Sequence, residues 1–204
     1  DVVQDAAGRV HAVVGDVCGH GPEEAAIGVR MRMAWRTLIL AGAPEDELMG
    51  ILDRVLVHER EHPALFTSIV TVSLDPGGCN ARVRLAGHPA PVMIGEGGAR
   101  ALDECAHGPS LGLGAPPHWP ATEVGVGDDW TLMLFTDGLY EGRVHGGPER
   151  LGTDGLLKLL ASFPITQNRA TALETLIGEV ERLNGGALTD DVAIVALACD
   201  AAAA

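Results

Sequence analysis

Apolar positions along the chain alternate between a strand-like and a helical period. Residues 9–15, RVHAVVG, form an apolar run that reads as a buried strand and leads into Asp16-Val17-Cys18-Gly19-His20-Gly21. Pro22-Glu23-Glu24 then has the form of a helix start, with proline in the first turn and two acids facing the positive helix end. This helix runs through AAIGVRMRMAWRTLILAG and stops at Gly42; a second begins near Pro44-Glu45-Asp46, with Leu48, Ile51, Leu52, Val55 and Leu56 at helical spacing. After Pro63 the pattern turns to strands: FTSIVTVSL and NARVRLAG flank Asp75-Pro76-Gly77-Gly78 as a hairpin, and PVMIG, a Gly-Glu-Gly-Gly turn and ARAL follow. A Gly/Pro-rich loop spans Asp103 to Pro120, and beyond it come ATEVGV and the strongly apolar WTLMLFT, which ends at Asp137-Gly138. Two helices are predicted around Leu156 to Ser162 and Arg169 to Leu183, then a closing strand from Val192 to Cys199 directly after Thr189-Asp190-Asp191. This order lacks the βαβ alternation of a doubly wound sheet. It predicts an α+β sandwich of mostly antiparallel sheets covered by helices.

Composition narrows the picture. The 204 residues suffice for one well-cored domain, expected over residues 1–200 with an Ala201–Ala204 tail. Hydrophobic residues make up 47% and aromatics only 3%, so the core is built from Ala, Val, Leu and Ile. A formal net charge of -14 argues against nucleic acid or an anionic membrane as a general partner, and a phosphorylated ligand would need bound cations. No apolar run is long enough to insert in a membrane and nothing at Asp1 resembles a signal peptide, so a cytoplasmic location is expected; the start without Met reads as an excised domain. Cys18, Cys79, Cys105 and Cys199 are scattered, which reads as buried reduced thiols.

His58-Glu59-Arg60-Glu61-His62 is a literal H-E-x-x-H, the spacing that sets two imidazoles on one helical face for zinc. Pro63 follows at once and drives His62 from helical angles, and the core stripe extended from Val55 leads to Glu59. The segment reads as a solvated helix end. Three aspartates carry the stronger signal: Asp16 and Asp137 end apolar strands, and Asp190, beside Asp191, begins another. If the third strand runs antiparallel to the other two, these carboxylates share a sheet edge, where their repulsion calls for a divalent cation. All-oxygen ligands favour Mg²⁺ or Mn²⁺, and a pair of such ions can neutralise phosphoryl oxygens during in-line attack by water.

Five motifs occur in order: VVGDVCGHG, AGHPAPVMIG, PSLGLG, FTDGLYEGR and LTDDVAIVAL. Together they resemble the SpoIIE-type branch of the PPM family, the metal-dependent serine/threonine protein phosphatases, over nearly the whole chain. The resemblance implies an α-β-β-α sandwich whose first strand is truncated here. It also implies a two-metal centre of Mn²⁺ or Mg²⁺ that activates a water to hydrolyse phosphoserine or phosphothreonine. By similarity Asp16 is a bridging metal ligand, the Val17 carbonyl a neighbouring one, and Asp137 and Asp190 complete the set, with Asp191 as the fallback for Asp190. Gly19, His20, Gly138 and His88 are implied as positioning or substrate-facing residues, with Gly15 and Gly21 supplying tight turns. His88 also reads simply as a hydrogen-bonded turn histidine beside proline.

One departure matters: the family's acidic ligand in a Gly-Gly-Asp stretch, about eighteen residues before the Asp of the GHG motif, would precede Asp1. One metal site is therefore expected to be incomplete as the sequence stands, with Asp1 and Asp5 as candidate substitutes. The branch implies a phosphorylated anti-anti-sigma (STAS) protein as substrate in a bacterial partner-switching circuit, sensor domains ahead of the phosphatase, and the helix pair from Glu23 to Glu61 as regulatory element. The alternatives are a catalytically degenerate binding module and a metallophosphatase of small phosphoesters.

Overall fold

The computed structural model describes residues 1–77, 80–95, 97–114, 118–127, 129–145, 147–162 and 169–199. Cys79, the Gly78 and Glu96 of two predicted turns, and the Ala201–Ala204 tail lie outside the described residues. The chain divides into two compact units, residues 1–90 with 103–126, and residues 91–102 with 127–204. Among the described residues each unit holds one sheet and one pair of α-helices, and the fold is α+β.

In the first unit, β1 (Val2–Gln4), β2 (Val10–Val17), β3 (Thr67–Leu74) and β4 (Asn80–Ala86) pair antiparallel in that order. β4 also carries the two-residue β7 (His107–Gly108) in parallel and β8 (Thr122–Gly125) antiparallel. Helix α1 (Pro22–Leu40) buries Ile27, Met31, Trp35 and Ile39, four residues apart on one stripe. It ends at Ala41, and Gly42 turns the chain with φ +71° into α2 (Glu45–Glu59). α2 adds Leu48, Met49, Leu52 and Leu56 to the same core, which packs on Val13, Ile69 and Ala86 of the sheet.

The second unit is a four-stranded antiparallel sheet in the order β10 (Ile194–Cys199), β9 (Trp130–Phe135), β5 (Val92–Gly95) and β6 (Gly98–Ala101). All six β9 residues are buried, as a central strand requires. Helices α3 (Gly152–Ser162) and α4 (Arg169–Asn184) contribute Leu156, Leu160, Leu176 and Val180 to a core with Val92, Ile94, Met133 and Phe135.

Several expectations need adjustment. Asp16 and Val17 lie inside β2 rather than beyond it, paired with Ser68 and Thr67. β1 is only three residues long, in keeping with a truncated first strand, although the apolar pattern alone does not show it; β7 is not foreseen, α3 begins four residues before Leu156, and β10 begins at Ile194 rather than Val192. The cysteines are not uniformly buried: Cys105 is, but Cys199 is half-buried and Cys18 is exposed on the loop after β2. α2 ends at Glu59, and Arg60 is already extended (φ −74°, ψ 138°), so His58 and His62 do not share a helical face. Among the described residues no helix is long and apolar enough to cross a membrane.

Candidate metal centre

Asp137 opens a single 3₁₀ turn (Asp137–Leu139) at the end of β9. Its carbonyl accepts from Tyr140 N at 3.0 Å and Glu141 N at 2.9 Å, which folds Glu141 back toward it. β10 runs antiparallel to β9 with Ile194 opposite Phe135, which brings the Asp190–Ala193 approach alongside the same turn. Thr136, not foreseen from the sequence, fixes that approach. Its hydroxyl donates to the Asp191 carbonyl and accepts from Ala193 N, both at 2.9 Å, and its own N–H donates to the Ala193 carbonyl.

This placement leaves Asp137 short of compensation. Oδ1 is buried without a hydrogen-bond partner. The carboxyl is pushed above its ordinary pKa, first by burial and then by the negative charges of Glu141 and Asp190, against the pull of the Gly138 amide. A buried, unpartnered carboxylate oxygen under the negative charge of two further acids suits a hard cation, although the three carboxylates are not drawn together as a cage. Asp190 supplies one of the neighbouring charges, and its Oδ1 accepts from Asp191 N at 2.9 Å. Glu141 is a second feature the sequence reading missed; it is ion-paired with Arg150.

Gly138 is required for this fit. A Cβ there would stand 2.6 Å from the Asp191 carbonyl oxygen, closer than real contacts allow. Gly138→Ala is expected to push the Asp190–Asp191 backbone away and destabilise the protein by about 1–3 kcal/mol. The check is a fall in the chemical-denaturation midpoint.

The other site candidates lie in the first unit. Beyond Val17, Cys18 N donates to the Phe66 carbonyl at 3.0 Å, holding the strand end against the start of β3. Gly19 (φ +105°) and Gly21 (φ +137°, the cap of α1) then turn the chain into the helix beneath the Glu24 carboxylate, leaving His20 exposed. His88 is 2% exposed, with Nδ1 3.2 Å from the Pro89 carbonyl. That oxygen can only accept, so Nδ1 carries the proton. Burial lowers the ring pKa to about 4, leaving a neutral imidazole at physiological pH. The turn-histidine reading accounts for its contact with Pro89, but not for Nε2, which is buried without a partner.

Asp1 and Asp5 are committed elsewhere. Asp1 pairs with Arg36 at 3.0 Å and Arg32 at 3.4 Å on α1. Asp5 pairs with Arg9 at 2.9 Å and His11 at 3.2 Å at the opposite end of β2 from Asp16. Among the described residues of either unit, no group of three His, Cys, Asp or Glu side chains is gathered as a metal cage, the H-E-x-x-H segment included.

The sequence profile of the Stage II sporulation protein E (SpoIIE) family matches residues 6–200. The chain belongs to the SpoIIE family. Solved structures of similar fold include the RsbU and RsbW domains of a Mycobacterium tuberculosis protein, at 26% identity and TM-score 0.79, covering 98% of this chain and 56% of that one. The PP2C phosphatase domain of Bacillus subtilis SpoIIE, with a fragment of its regulatory domain, matches at 14% identity and TM-score 0.80, covering 96% of this chain and 56% of that one. The SiaA PP2C domain of Pseudomonas aeruginosa matches at 19% identity and TM-score 0.82, covering 98% of this chain and 79% of that one. This SpoIIE-family chain thus spans little more than half of the first two chains and has the α+β fold of PP2C phosphatase domains.

Proposed function

We propose that this chain is a Mn²⁺- or Mg²⁺-dependent protein phosphatase that hydrolyses phosphoserine or phosphothreonine on a bacterial regulatory protein. The observation that carries the reading is Asp137, whose buried Oδ1 has no partner and whose carboxyl is crowded by Glu141 and Asp190. A site that raises a carboxyl pKa without a compensating cation is poorly suited to a merely structural turn and well suited to a metal.

In this reading, which for Asp16 and the Val17 carbonyl rests on the family resemblance, these two groups of the first unit and Asp137 and Asp190 of the second would hold the ions. Asp190 is preferred to Asp191 on the family resemblance, and its charge acts on Asp137. When bound, the cations supply an activated water and neutralise the phosphoryl oxygens. The chain's own contribution is orientation: Thr136 fixes the Asp190 segment, Gly138 lets it approach, and Gly19 and Gly21 shape the loop beyond Val17. Neutral His88 is a positioning group and not a proton donor, since its pKa is about 4. His20, exposed beside that loop, is available to the substrate.

The partner we favour is a phosphorylated anti-anti-sigma (STAS) protein in a cytoplasmic partner-switching pathway. The RsbU and RsbW domains and a bacterial stressosome protein among the structural relatives support that direction. Upstream sensor domains are in keeping with the regulatory-domain fragment that accompanies the B. subtilis phosphatase domain. Calorimetric titration tests the proposal: Mn²⁺ uptake is expected in the wild type and reduced uptake, without loss of fold, in Asp16→Ala. A chain that takes up no Mn²⁺ and hydrolyses no phosphopeptide is a binding module instead.

A further inference from the structure

Gly112, in the PSLGLG stretch, is held on both sides of its backbone by side chains of the α2 segment. Its N–H donates to Asp53 Oδ1 at 2.7 Å, and its carbonyl accepts from Arg60 Nη1 at 2.8 Å. The same guanidinium nitrogen donates to the Leu65 carbonyl at 2.7 Å, joining the loop to the segment that leads into β3. The fit admits only glycine: φ is +89°, and a Cβ would stand 2.9 Å from Arg60 Nη1 and 3.0 Å from the Leu65 oxygen.

The hold passes into the sheet. Leu111, fully buried, exchanges both backbone hydrogen bonds with Thr67: Leu111 N to Thr67 O at 2.9 Å, and Thr67 N to Leu111 O at 3.1 Å. Thr67 is the register partner of Val17, and Ser68 that of Asp16. One residue earlier, Phe66 accepts from Cys18 N. An unbroken series of hydrogen bonds and strand pairing therefore runs from Asp53 and Arg60 through Gly112, Leu111 and Thr67 to the end of β2. Strand ends open locally unless something fixes them, and hydrogen bonds to charged groups are the stronger kind.

We infer that Asp53 and Arg60 are positioning residues for the Asp16–Val17 strand end, acting through the Leu111–Gly112 loop. The catalytic consequence rests on the proposed function; the coupling to the strand end does not. Asp53→Ala removes the acceptor for the Gly112 N–H, whereas Asp53→Asn keeps a carbonyl oxygen in its place. Amide NMR spectra of the 204-residue chain are expected to show Asp53→Ala shifting Gly112, Leu111, Thr67, Val17 and Cys18, with Asp53→Asn close to wild type. Mn²⁺ affinity is expected to fall about tenfold in Asp53→Ala and to recover in Asp53→Asn, the scale on which supports behind metal ligands act. Should Asp53→Ala fail to fold, Arg60→Lys gives the same reading, because one ammonium cannot hold the Leu65 and Gly112 carbonyls in the guanidinium's fixed geometry. Shifts confined to Gly112 and Leu111, or equal damage from Asp53→Asn and Asp53→Ala, would overturn the inference. A wild type that binds no Mn²⁺ would defeat the proposed function, while the path of shifts would still decide the positioning role.

Discussion

Replacing Asp137 with asparagine is expected to lower Mn²⁺-stimulated hydrolysis of a phosphoserine peptide by about a thousandfold or more while stabilising the metal-free protein. The catalytic loss follows if the carboxylate holds a cation that supplies about 4 kcal/mol of transition-state stabilisation. The stability gain follows from the site itself. Asp137 carries a buried unpartnered oxygen and faces the charges of Glu141 and Asp190, and an amide removes that repulsion at nearly constant shape. Relief of about 1 kcal/mol would raise the melting temperature by roughly 2–4 °C in a protein of this size. The pH dependence has a definite sign. A carboxyl whose folded pKa is raised contributes stability that is fully present below its ordinary pKa and is lost as pH rises through the raised one. Metal-free wild type should therefore weaken across that interval more than Asp137→Asn does, and saturating Mn²⁺ should close the gap. Calorimetric melts of both proteins, with and without Mn²⁺, measure it. Unchanged turnover in both Asp137→Asn and Asp16→Ala would remove the catalytic assignment.

The opposing signs of those two effects also explain what the sequence could reveal. WTLMLFTDG is legible because five apolar residues around a single threonine read as a central strand, and a polar turn follows. Helices α1 and α2 are legible from their four-residue spacing of large apolar residues. β1 and β7 have three and two residues, too few to show a period, and exist because β2 and β4 offer them edges. The roles of Thr136 and Glu141 were hidden for a different reason. Both depend on a turn that brings Thr136 against the Asp191–Ala193 backbone and Glu141 back toward Asp137, and neither partner is fixed by spacing alone. Choosing Asp190 over Asp191 from sequence rests on family resemblance; the negative charge of Asp190 bears on Asp137, but ligation by either acid is a matter for metal titration of the two alanine variants. The H-E-x-x-H segment teaches the converse: a correct spacing carries no geometry once the helix stops between its two histidines.

Glu45→Gln is expected to destabilise the protein by about 3 kcal/mol, lowering the melting temperature by roughly 6–12 °C. The sequence marks Glu45 only as part of a helix start, but the structure makes it a hub. Its carboxylate, 12% exposed, accepts from Arg9 at 3.0 Å and from the Ser73 hydroxyl at 3.0 Å, and faces Arg84 at 3.5 Å and Arg82 at 3.6 Å. Arg84 is itself only 6% exposed, with Asp46 as its other carboxylate, so one acid at the start of α2 joins the helix to β3, β4 and the turn that leads into β2. Glutamine keeps the shape but removes the charge and leaves the buried Arg84 guanidinium undercompensated. That differs in kind from Arg182–Glu179 on α4, where the arginine is 61% exposed and Glu179→Gln should leave the melting temperature nearly unchanged. Salt separates the two cases, because screening weakens exposed pairs far more than buried ones. The Glu45→Gln deficit should survive 0.5 M NaCl, a concentration set to shorten the Debye length to about 4 Å. A double-mutant cycle with Arg84→Met should return part of the loss, since removing both partners abolishes the uncompensated charge. A deficit below about 1 kcal/mol, or one that vanishes in salt, would show that α2 is held to the sheet by its apolar stripe alone.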